Sequence, residues 1–571
     1  MRNLFRRENH MEQITETSRR SFLKGAALGA IGLGAAGMGL AGCSPKTGED
    51  KGTAAPAGGT GADTSNISWD EEFDVVIIGA GAAGMTAAIT VAREGNGKTC
   101  LLAEKEAQPN GNSPFCAGDF SWTTVPDDYY VYLKELAGEH TTTPDDVLRV
   151  FANGLGEVKD WVIELGALEE EMEILPNGTA EDPVLNIDVV WPELECSYAH
   201  AMCTIGGITR NEPDYQLKGA KHIFPWLTDL VNSHSDVIDY RTNFAMDELI
   251  QDASGRIVGA VIDGKSIKAN DGVIMCCGGF ENDPVMKENY FGVSTIIPAA
   301  GQGNTGDGHR ACMKVGADFW HMSGLAGMWL QPRNLDNTQF LAPIVGGVRV
   351  KQYGITVGSN GRRFYMDYDA LTSWPDPKPG YLADLKTDVG MRYGHTNFGG
   401  AWPWQAMPAD GGWFIYDADG LAAGAIAADV STDPVADKLA YSAATIADLA
   451  AQIDVPAEEL EKTVAEWNTF CDEGEDFAFH RPVETLNKVA TPPFYATFCA
   501  PTLLNTDGGP VRSSKAEILD PYGNPIPGLF SAGEFGSLWG HFYQGSGNIA
   551  ECLIYGRIAA QSAMGTELSY Q

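Results

Sequence analysis

The chain has 571 residues, 44% hydrophobic and 20% charged. That is a globular composition with length for two or more domains, and it excludes a disordered chain. Its net charge of −37 excludes the basic surface that nucleic acid requires, and its 11 cysteines contain no C-x-x-C or C-x-x-C-H, which leaves covalent haem, iron–sulfur clusters and metal sites without support.

Ser18-Arg19-Arg20-Ser21-Phe22-Leu23-Lys24 reads as a twin-arginine export signal, followed by a moderately apolar run from Gly25 to Gly42. Leu40-Ala41-Gly42-Cys43 resembles a bacterial lipobox, whose cysteine takes a lipid. Simple cleavage nearby and an uncleaved anchor are the alternatives. The expectation is a protein exported folded and lipid-anchored to the extracytoplasmic face of the cell membrane. Residues 1–42 are then signal, and 43–68, rich in Gly, Ala, Thr and Asp, a flexible tether.

Asp74 to Ile78 is a short apolar run of strand type, after which Gly79, Gly81 and Gly84 fall at G-x-G-x-x-G. Met85 to Arg93 reads as a helix and Thr99 to Ala103 as a second strand, closed by Glu104. Gly79 allows a tight turn, Gly81 lets a pyrophosphate approach the backbone, and Gly84 lets helix and sheet pack closely. The helix N-terminus attracts phosphate. Glu104, about 20 residues after Gly84, suits a ribose hydroxyl. Strand, glycines, helix, strand and acid in this order predict dinucleotide binding by Gly79, Ala80, Gly81, Ala82, Ala83, Gly84, Glu104 and Lys105.

Gly111-Asn112-Ser113 and Ala117-Gly118-Asp119 suit a loop lying along a cofactor, or a plain surface loop. Asp145 to Gly166 has the apolar periodicity of a core helix, Glu169 to Glu173 reads as a solvated acidic turn, and Ala220 to Val231 as another helix. Val237 to Phe244 and Glu248 to Ile262 alternate like a β-meander. Gly272 to Phe280 reads as a strand ending at Gly278-Gly279, and Asn304-Thr305-Gly306-Asp307-Gly308 precedes a helix from His309 to Val315. Either glycine cluster can close on a cofactor or be an ordinary turn.

Further motifs complete a pattern. C-G-G-F stands at Cys277–Phe280, N-T-G-D-G at Asn304–Gly308 and G-R-R-F at Gly361–Phe364. N-T-D-G-G follows at Asn505–Gly509, I-P-G-L-F-S-A-G-E at Ile526–Glu534 and G-S-G-N-I-A-E-C-L-I-Y-G-R at Gly545–Arg557. With Gly79–Gly84, these make residues 72–563 resemble the flavoprotein subunit of the fumarate reductase/succinate dehydrogenase superfamily. That superfamily includes 3-ketosteroid Δ1-dehydrogenases and urocanate reductases. The resemblance implies FAD and an α/β fold: a Rossmann-like FAD-binding domain, split over 69–330 and 500–571, with an inserted α+β capping domain at 331–499. It implies cofactor contacts from Asn112, Ser113, Ala117, Gly118, Gly278, Gly279, Thr305, Gly306, Asp307, Gly533, Glu534, Ser546, Asn548 and Ile549. It also implies hydride transfer between flavin N5 and a carbon of a carbonyl-activated C–C bond.

The Arg and His residues that hold dicarboxylates in that superfamily are not matched. Their positions fall on Gln331, Asn505, Gln544 and near Leu421, with Arg333 and Arg349 nearby. Charge-assisted contacts suit carboxylates, so their loss predicts a neutral or singly charged substrate. Tyr543 and Gly547 resemble the Y-x-x-x-G of 3-ketosteroid dehydrogenases, whose Tyr hydroxyl and Gly N–H both bond a substrate ketone; a packed aromatic is the alternative for Tyr543. Tyr368 is the candidate proton donor, with Tyr365, Tyr393, His395 and His541 as rivals. Trp402 and Trp404 suit a lid over a planar substrate, whereas Trp413 and Phe414 suit core.

The expected activity is FAD-dependent reduction of an activated C=C bond in an enone, unsaturated acid or aryl acrylate. The alternatives are a ketosteroid-type dehydrogenase running in reverse, a fumarate reductase, and a flavin electron carrier. The sequence shows no haem attachment and no second nucleotide motif, so the expected partner is a membrane cytochrome or a quinol-linked donor, as in anaerobic respiration.

Overall fold

The computed structural model describes residues 67–571, except 117, 139–140, 183–193, 206–222, 336–352, 365–409, 427–430, 482, 541 and 544. The described residues belong to the unit Gly58–Gln571. The export signal, the lipobox, Ala117, Arg349, Tyr365, Tyr368, Tyr393, His395, Trp402, Trp404, His541 and Gln544 lie outside the described residues. No helix among the described residues is long and apolar enough to cross a membrane.

In chain order the elements that build the site are β1 (Glu71–Ile78), α1 (Ala82–Glu94), β2 (Cys100–Ala103), α2 (Asp145–Glu164), β3 (Ile238–Arg241), β4 (Met246–Gln251), β5 (Ile257–Ile262), β6 (Lys265–Met275) and β7 (Ile297–Pro298). Then come α3 (Asp307–Lys314), β8 (Leu325–Pro332), β9 (Gly354–Val357), β10 (Gly412–Tyr416), β11 (Tyr441–Ala443), α4 (Ala457–Glu473), β12 (Phe494–Thr506), β13 (Glu517–Leu519), β14 (Pro525–Ser531) and α5 (Gly547–Met564).

The first sheet runs β13-β14-β6-β1-β2-β3, with β5 and then β4 added antiparallel beside β6. From β14 to β3 every neighbour is parallel. Parallel strands are covered on both faces, so they read as unbroken apolar runs. Val75 to Ile78 is such a run and is wholly buried. Val75 and Ile77 join the core made with α1, α2 and α5, while Val76 and Ile78 join the core on the meander side with α3. The register is level: Ile78 lies opposite both Ala103 and Met275, and Met275 opposite Ser531. The chain therefore leaves four neighbouring strands at one edge.

Two expectations are corrected. Ile238–Arg241 is a parallel edge strand on β2 and not part of the meander, which is β4-β5-β6. Alternation reports which side chains face inward and not which neighbour supplies the hydrogen bonds. The strand expected to reach Phe280 ends at Met275, because the backbone turns at Gly278, where φ is +64°.

The second sheet runs β7-β12-β10-β9, with β8 and β11 also on β12. Phe414 is buried in β10, while Trp413 is half-buried and packs edge-on against Phe498. Ile355, Val357 and Ile415 face Leu460, Val464 and Trp467 of α4. The long strand β12 crosses residue 500 and delivers Asn505 and Thr506 to the edge of the first sheet, where Thr506 N donates to a Glu281 carboxylate oxygen at 2.9 Å.

Among the described residues two ion pairs are buried. Arg363 meets Asp476 at 2.8 Å beside Trp467. Arg512 meets Glu551 of α5, both fully buried. Arg512 also donates to Gly533 O at 3.2 Å and lies over the Tyr555 ring. Glu551 accepts from Ser537 Oγ at 2.8 Å and from Leu538 N at 3.0 Å. Burial pulls the Arg512 guanidinium down to about 10, which leaves it charged at neutral pH. Removing one partner strands a buried charge, whereas removing both need not destabilise. Arg512→Met is expected to cost about 3–5 kcal/mol, with most of it recovered in Arg512→Met/Glu551→Leu; denaturant midpoints of the three proteins check this.

Candidate active site

The predicted cofactor residues converge on the level carboxyl edge of the first sheet, where ligands of open parallel sheets bind. Gly79 leaves β1 with φ +99°, and a Cβ there would lie 2.3 Å from Cys276 O. Ala80 N donates to Glu104 Oε2 at 3.1 Å, and Glu106 N to Glu104 Oε1 at 3.0 Å. The acid of β2 is thus tied to the glycine turn of β1. Gly81 caps α1 without a side-chain bond, and Ser113 Oγ accepts from Ala82 N at 3.0 Å. Lys105 Nζ donates to Thr305 Oγ1 at 2.5 Å and to Asp307 Oδ2 at 2.6 Å, which brings N-T-G-D-G beside Glu104.

Behind Gly278-Gly279 lies a cluster of acids. Asn112 Nδ2 donates to Glu281 Oε1 at 3.2 Å, to Glu534 Oε2 at 3.0 Å and to Leu504 O at 2.9 Å. Asn505 Nδ2 donates to Glu534 Oε2 at 2.8 Å. A Cβ on Gly279 would lie 2.0 Å from Thr506 Oγ1, 2.5 Å from Glu534 Oε1 and 2.7 Å from Glu281 Oε1. Enclosure, and then the facing Glu281, push the Glu534 carboxyl well above the usual carboxylate range. Burial, and then Glu281, do the same to Asp507.

At the other end of the site α5 begins. Ser546 precedes it in the left-handed region, with φ +66°. Its Oγ donates to buried Asp119 Oδ2 at 2.5 Å, and its carbonyl accepts from Ser121 N at 3.2 Å. Tyr543 is buried, its ring edge-on to Trp539 at 5.6 Å. A Cβ on Gly547 would lie 2.2 Å from Trp539 Cζ2. Tyr543 and Gly547 thus share one indole wall. The first-turn N–H groups of α5 have no side-chain cap, and such groups favour electron-rich oxygen. Ile549 is buried behind them and Asn548 is half-buried.

Of the positions where relatives hold dicarboxylates, Gln331 lies in β8 and Leu421 in the helix Ala418–Ala423. Asn505 gives its amide to Glu534. Sequence reasoning missed Glu281, Asn304, Asp507, Arg512 and Trp539. The available signal was an ionisable residue inside a glycine motif: Glu281 directly follows C-G-G-F and Asp507 sits within N-T-D-G-G.

Seven buried polar atoms at this edge have no hydrogen-bond partner among the described residues: Asn112 Oδ1, Glu281 Oε2, Asn304 Nδ2, Asp507 Oδ1 and Oδ2, Glu534 Oε1 and Asn548 Oδ1. Each such atom costs about 1–3 kcal/mol unless a ligand meets it. A long ligand with phosphates, hydroxyls and a heteroaromatic ring meets this need, and FAD fits. Its phosphates suit the α1 N-terminus and a ribose hydroxyl suits Glu104.

The family model described as FAD binding domain matches residues 74–549. The chain belongs to this FAD-binding family. It is 27% identical to a digoxin reductase of Eggerthella lenta, over 96% of this chain and 97% of that one. It is also 27% identical to a urocanate reductase of the same species, over 86% and 74%. The fold is shared with a 3-ketosteroid Δ1-dehydrogenase from Sterolibacterium denitrificans, with a TM-score of 0.63 at 19% identity, over 87% of this chain and all of that one. The protein is thus an α/β FAD-binding oxidoreductase of the fumarate reductase/ketosteroid dehydrogenase superfamily.

Two outcomes follow from this geometry. Gly279→Ala forces a methyl group into Thr506 and the acid pair, and is expected to lower the flavin-to-protein absorbance ratio of the purified enzyme. Glu534 and Asp507 have carboxyl values raised in the folded state. Their contribution to stability is fully present below their ordinary values of 4.5 and 3.8 and is lost as pH rises through the raised ones. Glu534→Gln is expected to flatten the fall in urea midpoint as pH rises above 4.5.

Proposed function

We propose that this enzyme reduces an activated C=C bond in a neutral or singly charged organic compound, such as an enone, an unsaturated monoacid or an aryl acrylate. The observation that carries this reading is the use of Asn505. It stands where relatives place a substrate-binding His, and its amide is committed to Glu534. Beside it stand Glu281 and Asp507, with no Arg or Lys ion-paired to these three acids among the described residues. A dianion entering such surroundings gains no charge-assisted contact and meets repulsion. The relatives named as reductases support the direction.

Bound FAD supplies the hydride, at flavin N5. The protein's part is to position and polarise. Tyr543 O–H and Gly547 N–H donate to the substrate carbonyl oxygen, where negative charge grows as the C=C bond accepts hydride. Trp539 fixes the ring of the first and the backbone of the second. Tyr368 is our candidate for protonating the neighbouring carbon. Electrons come from an external membrane donor, a cytochrome or a quinol-linked protein. Ser18–Lys24 and Leu40–Cys43 support an exported, lipid-anchored enzyme. A second reading, the reverse dehydrogenation of a cyclic ketone, is favoured by the Tyr543/Gly547 pair, which resembles that of ketosteroid dehydrogenases.

With reduced viologen as donor, uncharged enones are expected to reoxidise the flavin faster than fumarate. Tyr543→Phe is expected to slow this by about 10²–10³-fold with flavin content unchanged. Faster reoxidation by fumarate, or none by any enone, would sink the reading.

A further inference from the structure

The unassigned acid of this site is Glu281. It is fully buried, two residues beyond Gly279 at the carboxyl edge of β6. Its two oxygens differ. Oε1 is held by Thr506 N at 2.9 Å and by Asn112 Nδ2 at 3.2 Å. Oε2 is buried and has no hydrogen-bond partner among the described residues. The acids around it are Glu534 and Asp507. The cation that acts on it is Lys287, whose Nζ donates to Ile296 O. Asn112 Oδ1, on the same amide that holds Oε1, is likewise buried and unpartnered.

We propose that Glu281 binds the cofactor directly, its Oε2 accepting a hydrogen bond from a hydroxyl of the ribityl chain of FAD. Each part of the arrangement bears on this. A buried carboxylate oxygen without a donor is costly, and with Oε1 held by Thr506 and Asn112, Oε2 has no hydrogen-bond partner among the described residues. The donor it takes must be uncharged or positive, because two further acids crowd it. The diphosphate of FAD offers no donor, whereas its run of ribityl hydroxyls offers several to Oε2 and to Asn112 Oδ1 together. Asn112 spans both acids, and its unpartnered Oδ1 is a second acceptor for the same polyol. Gly279 is the residue whose missing side chain leaves this acid pair room.

The test uses the oxidised full-length protein without substrate, so its failure and failure of the proposed reaction are separable. The chain is freed of flavin and titrated with FAD and with the 2′-, 3′- and 4′-deoxyribityl analogues, each followed by flavin fluorescence. Wild type is expected to bind at least one deoxy analogue about tenfold to a hundredfold more weakly than FAD, the worth of one hydrogen bond to a charged group. Glu281→Leu is expected to bind FAD more weakly by a similar factor and to lose that discrimination. Glu281→Gln keeps the bond from Thr506 and covers the case in which the leucine variant does not fold; its discrimination is expected to fall below that of wild type. The proposal is overturned if wild type binds all three analogues as tightly as FAD. It is equally overturned if a folded Glu281 variant still discriminates as wild type does, because Glu281 would then only anchor Thr506 and Asn112.

Discussion

The Arg512–Glu551 pair decides where the far half of the site stands. It lies wholly inside the protein and ties together segments separated along the chain. Arg512 holds the carbonyl before Glu534, and Glu551 holds Ser537 and the N–H before Trp539. Glu551 lies one turn inside α5, so the helix N-terminus, its Gly547 and the Trp539 wall move with the pair. A buried pair of this kind gives little net stability, but it penalises any arrangement that separates its members. Here the arrangement preserved is the one that brings Glu534, Trp539 and Gly547 to the edge where β1 and β2 present Gly79 and Glu104.

Charge sets the character of that edge. This chain places Glu281, Glu534 and Asp507 there, pushes the Glu534 and Asp507 carboxyls well above the usual carboxylate range by enclosure and proximity, and turns the Asn505 amide onto one of them. The result is a wall rich in acceptors and poor in positive charge. Such a wall serves hydroxyl groups and an uncharged ring better than a second carboxylate. The donors for a substrate oxygen lie at the other end, on Tyr543 and the first turn of α5, where neither is cationic.

The sequence by itself determined the nucleotide-binding half: strand, glycine turn, helix, second strand and acid are contiguous, and their local requirements appear as residue types at fixed spacing. Val75–Ile78, Gly79, α1 and Glu104 stand where that reading puts them, and α2 follows its apolar period. The long motifs near the end of the chain were legible as a resemblance. Only the tertiary structure decided that Ile238–Arg241 pairs in parallel with β2, that β12 carries Asn505 and Thr506 into the cofactor edge, and that Glu281, Glu534 and Asp507 meet. The physical reason is separation. Glu281 and Glu534 are 253 positions apart in the numbering, and Glu281 alone looks like an ordinary surface acid. Their enclosure and their contact exist only once two sheets have brought both carboxyls against the open side of Gly279.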